Sequence, residues 1–372
     1  MKNSHRRYSG CVPHARPWVH RRPIHAPMTP AAPLTYLYPV WFAIPMGLCG
    51  LALAWNRASE LMGEMALAIS LVLGVAALAA YLALAVAAVL RLRRHPKAWQ
   101  EDRAHPVRHA FLAAIPIGLM LLATVGTTLL GPEGLRSGAP VLVGSVHLAW
   151  WVGALGQFTV TLWVLSRWWQ GNKPGGLHWP VLTPAMIIPV VGNVLAPLAG
   201  VPLGHTEWAA AQFGVGLLFW PVVLVLLLVR VATQGLWPER LLPAHFILIA
   251  PPAVVGLALL QFGAPRLLAW GCWGVALFSF LWAGSQARRL AALPFGVPHW
   301  GLSFPLAALA ALTLRLAEPG GLLAVLGPVL LALASLVITA LLLGTWRGLR
   351  QGTLLVPEQV AVLQPVGAPT GG

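Results

Sequence analysis

Apolar residues run along this chain in long blocks separated by short polar or basic stretches, without the strict alternation of a strand. Blocks long enough to cross a hydrocarbon layer of roughly 30 Å, which takes about 20 helical residues, fall at 37–56, 64–90, 109–130, 142–166, 181–200, 208–230, 241–262, 267–287, 294–314 and 322–346. The pattern predicts ten membrane-spanning helices. The fifth is the weakest, because "HWPVLTPAMIIPVVGNVLAPLAG" carries four prolines and an asparagine, and read as a loop it would leave nine. The prolines follow an order of their own. The middles of the odd-numbered spans read "FAIPMGLCGLALA" around Pro45, "AAIPIGLMLLATV" around Pro116, "MIIPVVGNVLAPL" around Pro189, "LIAPPAVVGLALL" around Pro251 and Pro252, and "LSFPLAALAALTL" around Pro305. The second, fourth and eighth spans contain no proline, while Pro221 and Pro328 fall in the sixth and tenth. The repeating unit is therefore a helical hairpin, present five times in tandem.

A proline inside a helix removes one backbone hydrogen bond and clashes with the carbonyl a turn earlier, at a cost of about 3 kcal/mol or more. In lipid the freed carbonyl also needs a partner, so interrupted backbone belongs where it is buried in protein or lines a water-filled space. Five interruptions at matching depth predict an inner ring of odd spans around a central pore and an outer, lipid-facing ring of even ones. The lining expected on this basis is Phe42, Pro45, Pro116, Pro189, Pro251 and Pro305. Asn193 and Ser303 stand beside the breaks, where they either face the pore or bond a neighbouring helix.

Composition agrees with a bilayer. Hydrophobic residues make up 58% of the chain and charged ones 9%, and the mean hydropathy is +0.77, which excludes an ordinary soluble domain. With ten spans, one side of the membrane receives only Arg57, Arg136, Arg266 and Arg315 of the 24 Lys and Arg. The positive-inside rule then puts both termini in the cytoplasm and the chain in the cell membrane. Residues 1–35 contain six Lys or Arg and no acid and read as a disordered basic cytoplasmic tail; 348–372 read as a second tail. The basic residues are spread as topology signals, not gathered on a face with stacking aromatics, so no nucleic-acid partner is expected. Cys11, Cys49 and Cys272 are too few and scattered for a disulfide framework.

All nine acidic residues lie in loops, tails or at span ends, which disfavours a cation path. Asp102 is expected to pair with Arg103 or Arg108 as a solvated ion pair of small value. His147, His245 and His299 lie within or near spans four, seven and nine, without the in-helix spacing of a metal or haem site. No metal or cofactor is expected. No nucleophile motif, phosphate loop or carboxylate pair suggests an enzyme, although the histidines leave an integral-membrane enzyme or electron-transfer subunit as the alternative of another class.

Several stretches carry a resemblance. "LYPVWFAIPMGLCGLALAWNRA", "HPKAWQEDRAHPVRHAFLAAIP", "LTPAMIIPVVGN", "LIAPPAVVGLA" and "PHWGLSFPLAALA" resemble, in order from about residue 36 to 347, the tellurite-resistance/dicarboxylate transporter family of bacterial TehA and the plant slow anion channels. Ala43 stands where many members have glycine. The resemblance implies five hairpins in quasi-fivefold arrangement around a pore, a homotrimer with one pore per subunit, and passage of anions such as chloride, nitrate, sulfite or dicarboxylates. It also implies that a Phe of the ninth helix plugs the pore, a role that falls on Phe304, with Phe295 and Phe280 as rivals. A proton-coupled organic-anion carrier of the same fold, with His147 or His299 titrating, is the closer alternative.

Overall fold

The computed structural model describes residues 33–357 apart from 172–175, 177–178 and 180–181. The basic tail expected over 1–35 lies outside the described residues except for its last three, as do Lys173 and everything beyond residue 357. Among the described residues every regular element is helical. Among the described residues nine helices are long and apolar enough to cross a membrane: α1 (Pro39–Met62), α2 (Glu64–Arg94), α3 (Arg108–Ser137), α4 (Pro140–Trp168), α6 (Thr206–Gln234), α7 (Glu239–Gln261), α8 (Arg266–Gly284), α9 (Val297–Leu316) and α10 (Leu322–Arg350). Between α4 and α6 lies α5 (Pro184–Gly200), shorter but apolar, in the place of the doubtful fifth span. A short helix, Pro96–Ala104, precedes α3.

Burial divides these elements by parity. In α1, α3, α7 and α9 the most apolar stretch is 83, 72, 72 and 83% buried, whereas in the even helices the share runs from 17 to 33%. Each odd element packs on the even helix that follows it. Each also touches the next odd one, α9 returning to α1. Small residues permit this closeness. A Cβ on Gly153 of α4 would stand 2.8 Å from the Met120 nitrogen and 2.9 Å from the Pro116 carbonyl oxygen of α3, and one on Gly216 of α6 would stand 2.8 Å from the Val194 nitrogen of α5. The even helices turn Leu, Val and Trp outward instead, among them Leu71, Val75, Leu148, Leu218 and Leu336.

The prolines have an unforeseen local setting. Every odd element starts as a 3-10 helix: Pro39–Phe42, Arg108–Ala113, Pro184–Met186, Glu239–Ile249 and Val297–Leu302. It then rewinds to α at Ala43, Ala114, Ile187, Ala250 and Ser303. Pro45, Pro116, Pro189, Pro252 and Pro305 are each the third residue of the α segment. An N–H there has no partner within an α-helix, so the ring removes little. The breaks expected at mid-span are therefore changes of winding. α5 is discontinuous in its interior, reverting to 3-10 at Gly192–Leu195 before its last turn, Ala196–Gly200, and α3 kinks near its far end at Gly131, φ 64° and ψ 178°.

Candidate functional site

At the level where the odd elements rewind, their inner sides enclose a cavity of about 70 Å³ whose wall is apolar and drawn from all five of them. It adjoins a wider vestibule of about 560 Å³ at the 3-10 ends, the two sharing Phe111, Ile247 and Gly301 in their walls. Within the lining, one file on each odd element recurs every third position. Val40, Ala43 and Met46 come from α1; Arg108, Phe111, Ala114 and Ile117 from α3; Ala185, Ile188, Val191 and Val194 from α5; Leu241, Ala244, Ile247 and Ala250 from α7; Pro298, Gly301 and Phe304 from α9. A 3-10 helix produces this pattern because its residues i and i+3 eclipse. The spacing was present in the sequence but is masked there by apolar residues on every side of each odd span.

Of the expected lining, Phe304, Pro251 and Pro305 stand in the cavity wall. Phe304 is 9% exposed, and its ring edge rests over α1, where a Cβ on Gly50 would come within 2.9 Å of it. The other expected residues lie elsewhere, and each has a partner that explains why. Phe42 meets Tyr81 of α2 edge to face at 5.4 Å, and Pro45 is buried in the first α turn of α1. Pro116 lies under Gly156 of α4, and the Pro189 carbonyl accepts from Gln157 Nε2 at 3.0 Å and Thr161 Oγ1 at 2.7 Å.

Asn193 is fully buried; its amide donates to Thr161 Oγ1 at 2.8 Å and to the Val190 carbonyl at 3.1 Å, and its Oδ1 accepts from Gln212 at 3.0 Å. Ser303 donates to the Trp300 carbonyl at 2.6 Å beside Gly47. Polar groups and carbonyls loosened by 3-10 winding turn towards donors on α4 and α6 because an apolar cavity offers none. Of the rival aromatics, Phe280 lies on α8 and Phe295 beside His299, with ring centroids 5.5 Å apart, and neither is in the cavity wall.

Basic and polar groups line the vestibule: His105, Arg108, Thr183, Arg240 and His299, with no carboxylate among them. Asp102 departs from the expected solvated pair. It is fully buried, with Oδ2 2.5 Å from Arg91 Nη1 and Oδ1 2.8 Å from Arg108 Nη1. Arg91 also donates from Nε and Nη2 to the Thr35 carbonyl at 3.2 and 3.1 Å, and Arg108 lies 4.5 Å over the Tyr38 ring. The carboxylate thus fastens the end of α2 and the start of α3 to the segment before α1. Arg91 escaped notice because it stands in "RLRR", which reads as a topology signal. His105 Nδ1 accepts from the Val107 and Arg108 backbone N–H groups, each at 3.1 Å. Burial first, then the charges of Arg108 and Arg240, pull its pKa down to about 4.

The remaining histidines are dispersed. His147 and His205 meet at 3.0 Å between ring nitrogens, stacked among Trp150 and Trp151, away from the cavity wall. His245 contacts the Leu242 carbonyl at 3.1 Å. Among the described residues no three His, Cys, Asp or Glu groups gather as metal ligands.

Long apolar helices, with alternate ones buried about one cavity, define a helical membrane protein. The chain matches the family described as "Voltage-dependent anion channel" (SLAC1) over residues 36–346, and it belongs to that family. It is 27% identical over 273 residues to the "Tellurite resistance protein TehA homolog" of Haemophilus influenzae, covering 73% of this chain and 78% of that one. It is 24% identical to two Arabidopsis thaliana proteins. These are "S-type anion channel SLAH4", over 77% of this chain and 76% of the relative, and "S-type anion channel SLAH2", over 66% of this chain and 46% of the relative. The resemblance read from the motifs and the family match agree.

Proposed function

We propose that this protein is a passive anion channel or exporter of the cell membrane. In this reading its ten helical elements form five hairpins around a pore in quasi-fivefold arrangement, three copies assemble as a homotrimer, and Phe304 closes each pore. The observation that carries the reading is the file of every-third residues on five odd elements, enclosing one apolar cavity that opens into a basic vestibule. The short α5 suits the scheme: with 3-10 pieces rising about 2.0 Å per residue and α pieces about 1.5 Å, its length approaches the roughly 30 Å of a hydrocarbon core. Guanidinium groups at the mouth raise the local anion concentration. The neck beyond has no charge to hold an ion. Complete dehydration of an anion costs tens of kcal/mol, so weakly hydrated anions pass more easily, nitrate ahead of chloride. A bulky apolar ring in such a neck gates by excluding water.

The test is anion flux into proteoliposomes with and without an imposed proton gradient. Nitrate and chloride uptake is expected without the gradient, with sodium and potassium near the leak. Phe304→Ala is expected to raise anion flux well above wild type at equal protein density, whereas Phe295→Ala and Phe280→Ala, outside the cavity wall, leave it near wild type. Cation selectivity would overturn the reading. Flux that requires the gradient would favour the coupled carrier, for which His299 and His105 stand in the vestibule wall as titratable groups.

A further inference from the structure

Among the described residues the buried hydroxyls are bonded, with one exception. Ser70, Thr124, Thr127, Thr161, Ser303, Thr313 and Thr345 each donate to a backbone carbonyl. Thr183 Oγ1 is buried with no hydrogen-bond partner, in a residue only 1% exposed. Leaving a buried polar atom unpaired costs about 1–3 kcal/mol, so such an atom calls for an explanation. Its backbone gives none. Thr183 is extended at φ −122° and ψ 159°, as a residue before proline should be, and it begins the 3-10 turn of α5 without its side chain capping that turn. Thr183 is part of the vestibule wall.

The surroundings define what would satisfy it. Leu182, the preceding residue, is fixed by Trp237 Nε1, which donates to its carbonyl at 2.8 Å. The first turn of α5 packs on the 3-10 segment that begins at Glu239 and carries Arg240. Arg108, His105 and His299 share the same wall, and among the described residues no Asp or Glu does. Glu239, next to Arg240 in sequence, pairs with Arg289 at 2.9 Å, and Asp102 is buried between Arg91 and Arg108. A cation is repelled by this wall, and a neutral solute gains nothing from its charge. A small oxyanion can accept from the hydroxyl and from a planar guanidinium together.

We infer that Thr183 and Arg240 form a recruiting site for a small oxyanion of the nitrate type at the mouth of the cavity. The inference rests on the anion-channel reading above and deepens it. The site loads the ion while it is still partly hydrated, one step before the apolar neck, so it sets the concentration dependence of transport more than its maximal rate.

The experiment compares wild type, Thr183→Val, Thr183→Ser and Arg240→Gln in two measurements. The first is nitrate flux against nitrate concentration in proteoliposomes; the second is the nitrate-dependent rise in melting temperature of the detergent-purified protein. Loss of one hydrogen bond is worth about a fivefold change in affinity. Thr183→Val and Arg240→Gln should each raise half-saturating nitrate about fivefold, by more than they lower maximal flux, and should blunt the thermal shift. Thr183→Ser, which keeps the hydroxyl, should behave as wild type. Wild-type half-saturation and thermal shift in both Thr183→Val and Arg240→Gln would overturn the inference while leaving the channel reading intact. Where Thr183→Val fails to fold, Arg240→Gln against wild type decides by the same two measurements. Nitrate binding that depends on Thr183 in a protein that conducts no anion, even with Phe304 truncated, would sink the channel reading and keep the site.

Discussion

Asp102 shows how far one residue's setting can depart from its place in the chain. It follows Glu101 in a polar stretch of the kind that normally faces water, yet it is fully buried between two guanidinium groups. Removing one member of a buried ion pair typically costs about 3–5 kcal/mol, because the partners are left charged and dry. Asp102→Asn is therefore expected to lower the thermal midpoint of the purified protein sharply, whereas Glu101→Gln, on the exposed side of the same short helix, leaves it unchanged.

His105 makes a second prediction, in pH. Its folded pKa, about 4, lies below the ordinary 6.5, so the unfolded chain takes up this proton first. Stability from this site is whole above pH 6.5 and is lost as pH falls towards 4. His105→Asn keeps an acceptor for the Val107 and Arg108 N–H groups but does not titrate. Its melting temperature should fall less than that of wild type between pH 6.5 and 4, and equal slopes would remove His105 as a cause. At this scale the sequence announced the residue types and misjudged their facing. Asn193 and Ser303 were legible as polar groups beside the prolines, but their partners, Thr161, Gln212 and the Trp300 carbonyl, are set by packing.

At the scale of elements, the repeated proline was legible as a five-times-repeated signal, and its meaning was not. A 3-10 stretch and an α stretch that are apolar on all sides look alike, because neither leaves a polar face to reveal its period. The outer helices answer the altered winding with side chains aimed at inner carbonyls: Tyr81 to Ile115 at 3.1 Å, Gln157 to Ile188 and Pro189 at 3.3 and 3.0 Å, and Trp150 to Ala196 at 3.1 Å. Gln157→Leu strips two carbonyls of α5 of a donor where no water replaces it. It should destabilise by about 1–3 kcal/mol, read as a lower melting temperature in detergent, while Thr159→Leu two residues away on the exposed side does not. An unaltered midpoint in Gln157→Leu would mean that α5 holds its winding without help from α4.

For the whole molecule, the hydropathy blocks located nine long helices and the place of α5, and the alternation of proline with its absence anticipated which helices are buried. Helix ends were less legible. α2 runs to Arg94 and α10 to Arg350, because a helix continues beyond the hydrocarbon for as long as its polar residues are solvated. Orientation belongs to this scale as well. A reporter fused after Arg350 is expected to read cytoplasmic and one inserted within 131–140 external, from the distribution of Lys and Arg. A C-terminus found outside would leave an odd number of crossings and identify α5 as the element that does not traverse.

The 3-10 winding of the inner wall has a metric consequence. With about 2.0 Å of rise per residue and three residues to the turn, successive members of a file such as Leu241, Ala244 and Ile247 stand one above another at steps of about 6 Å. The chain has in effect graduated part of its own interior: along a 3-10 stretch, positions three apart share one face and differ in depth. Five such scales stand side by side, each with its own zero. A label walked along any one of them in steps of three would report on depth alone.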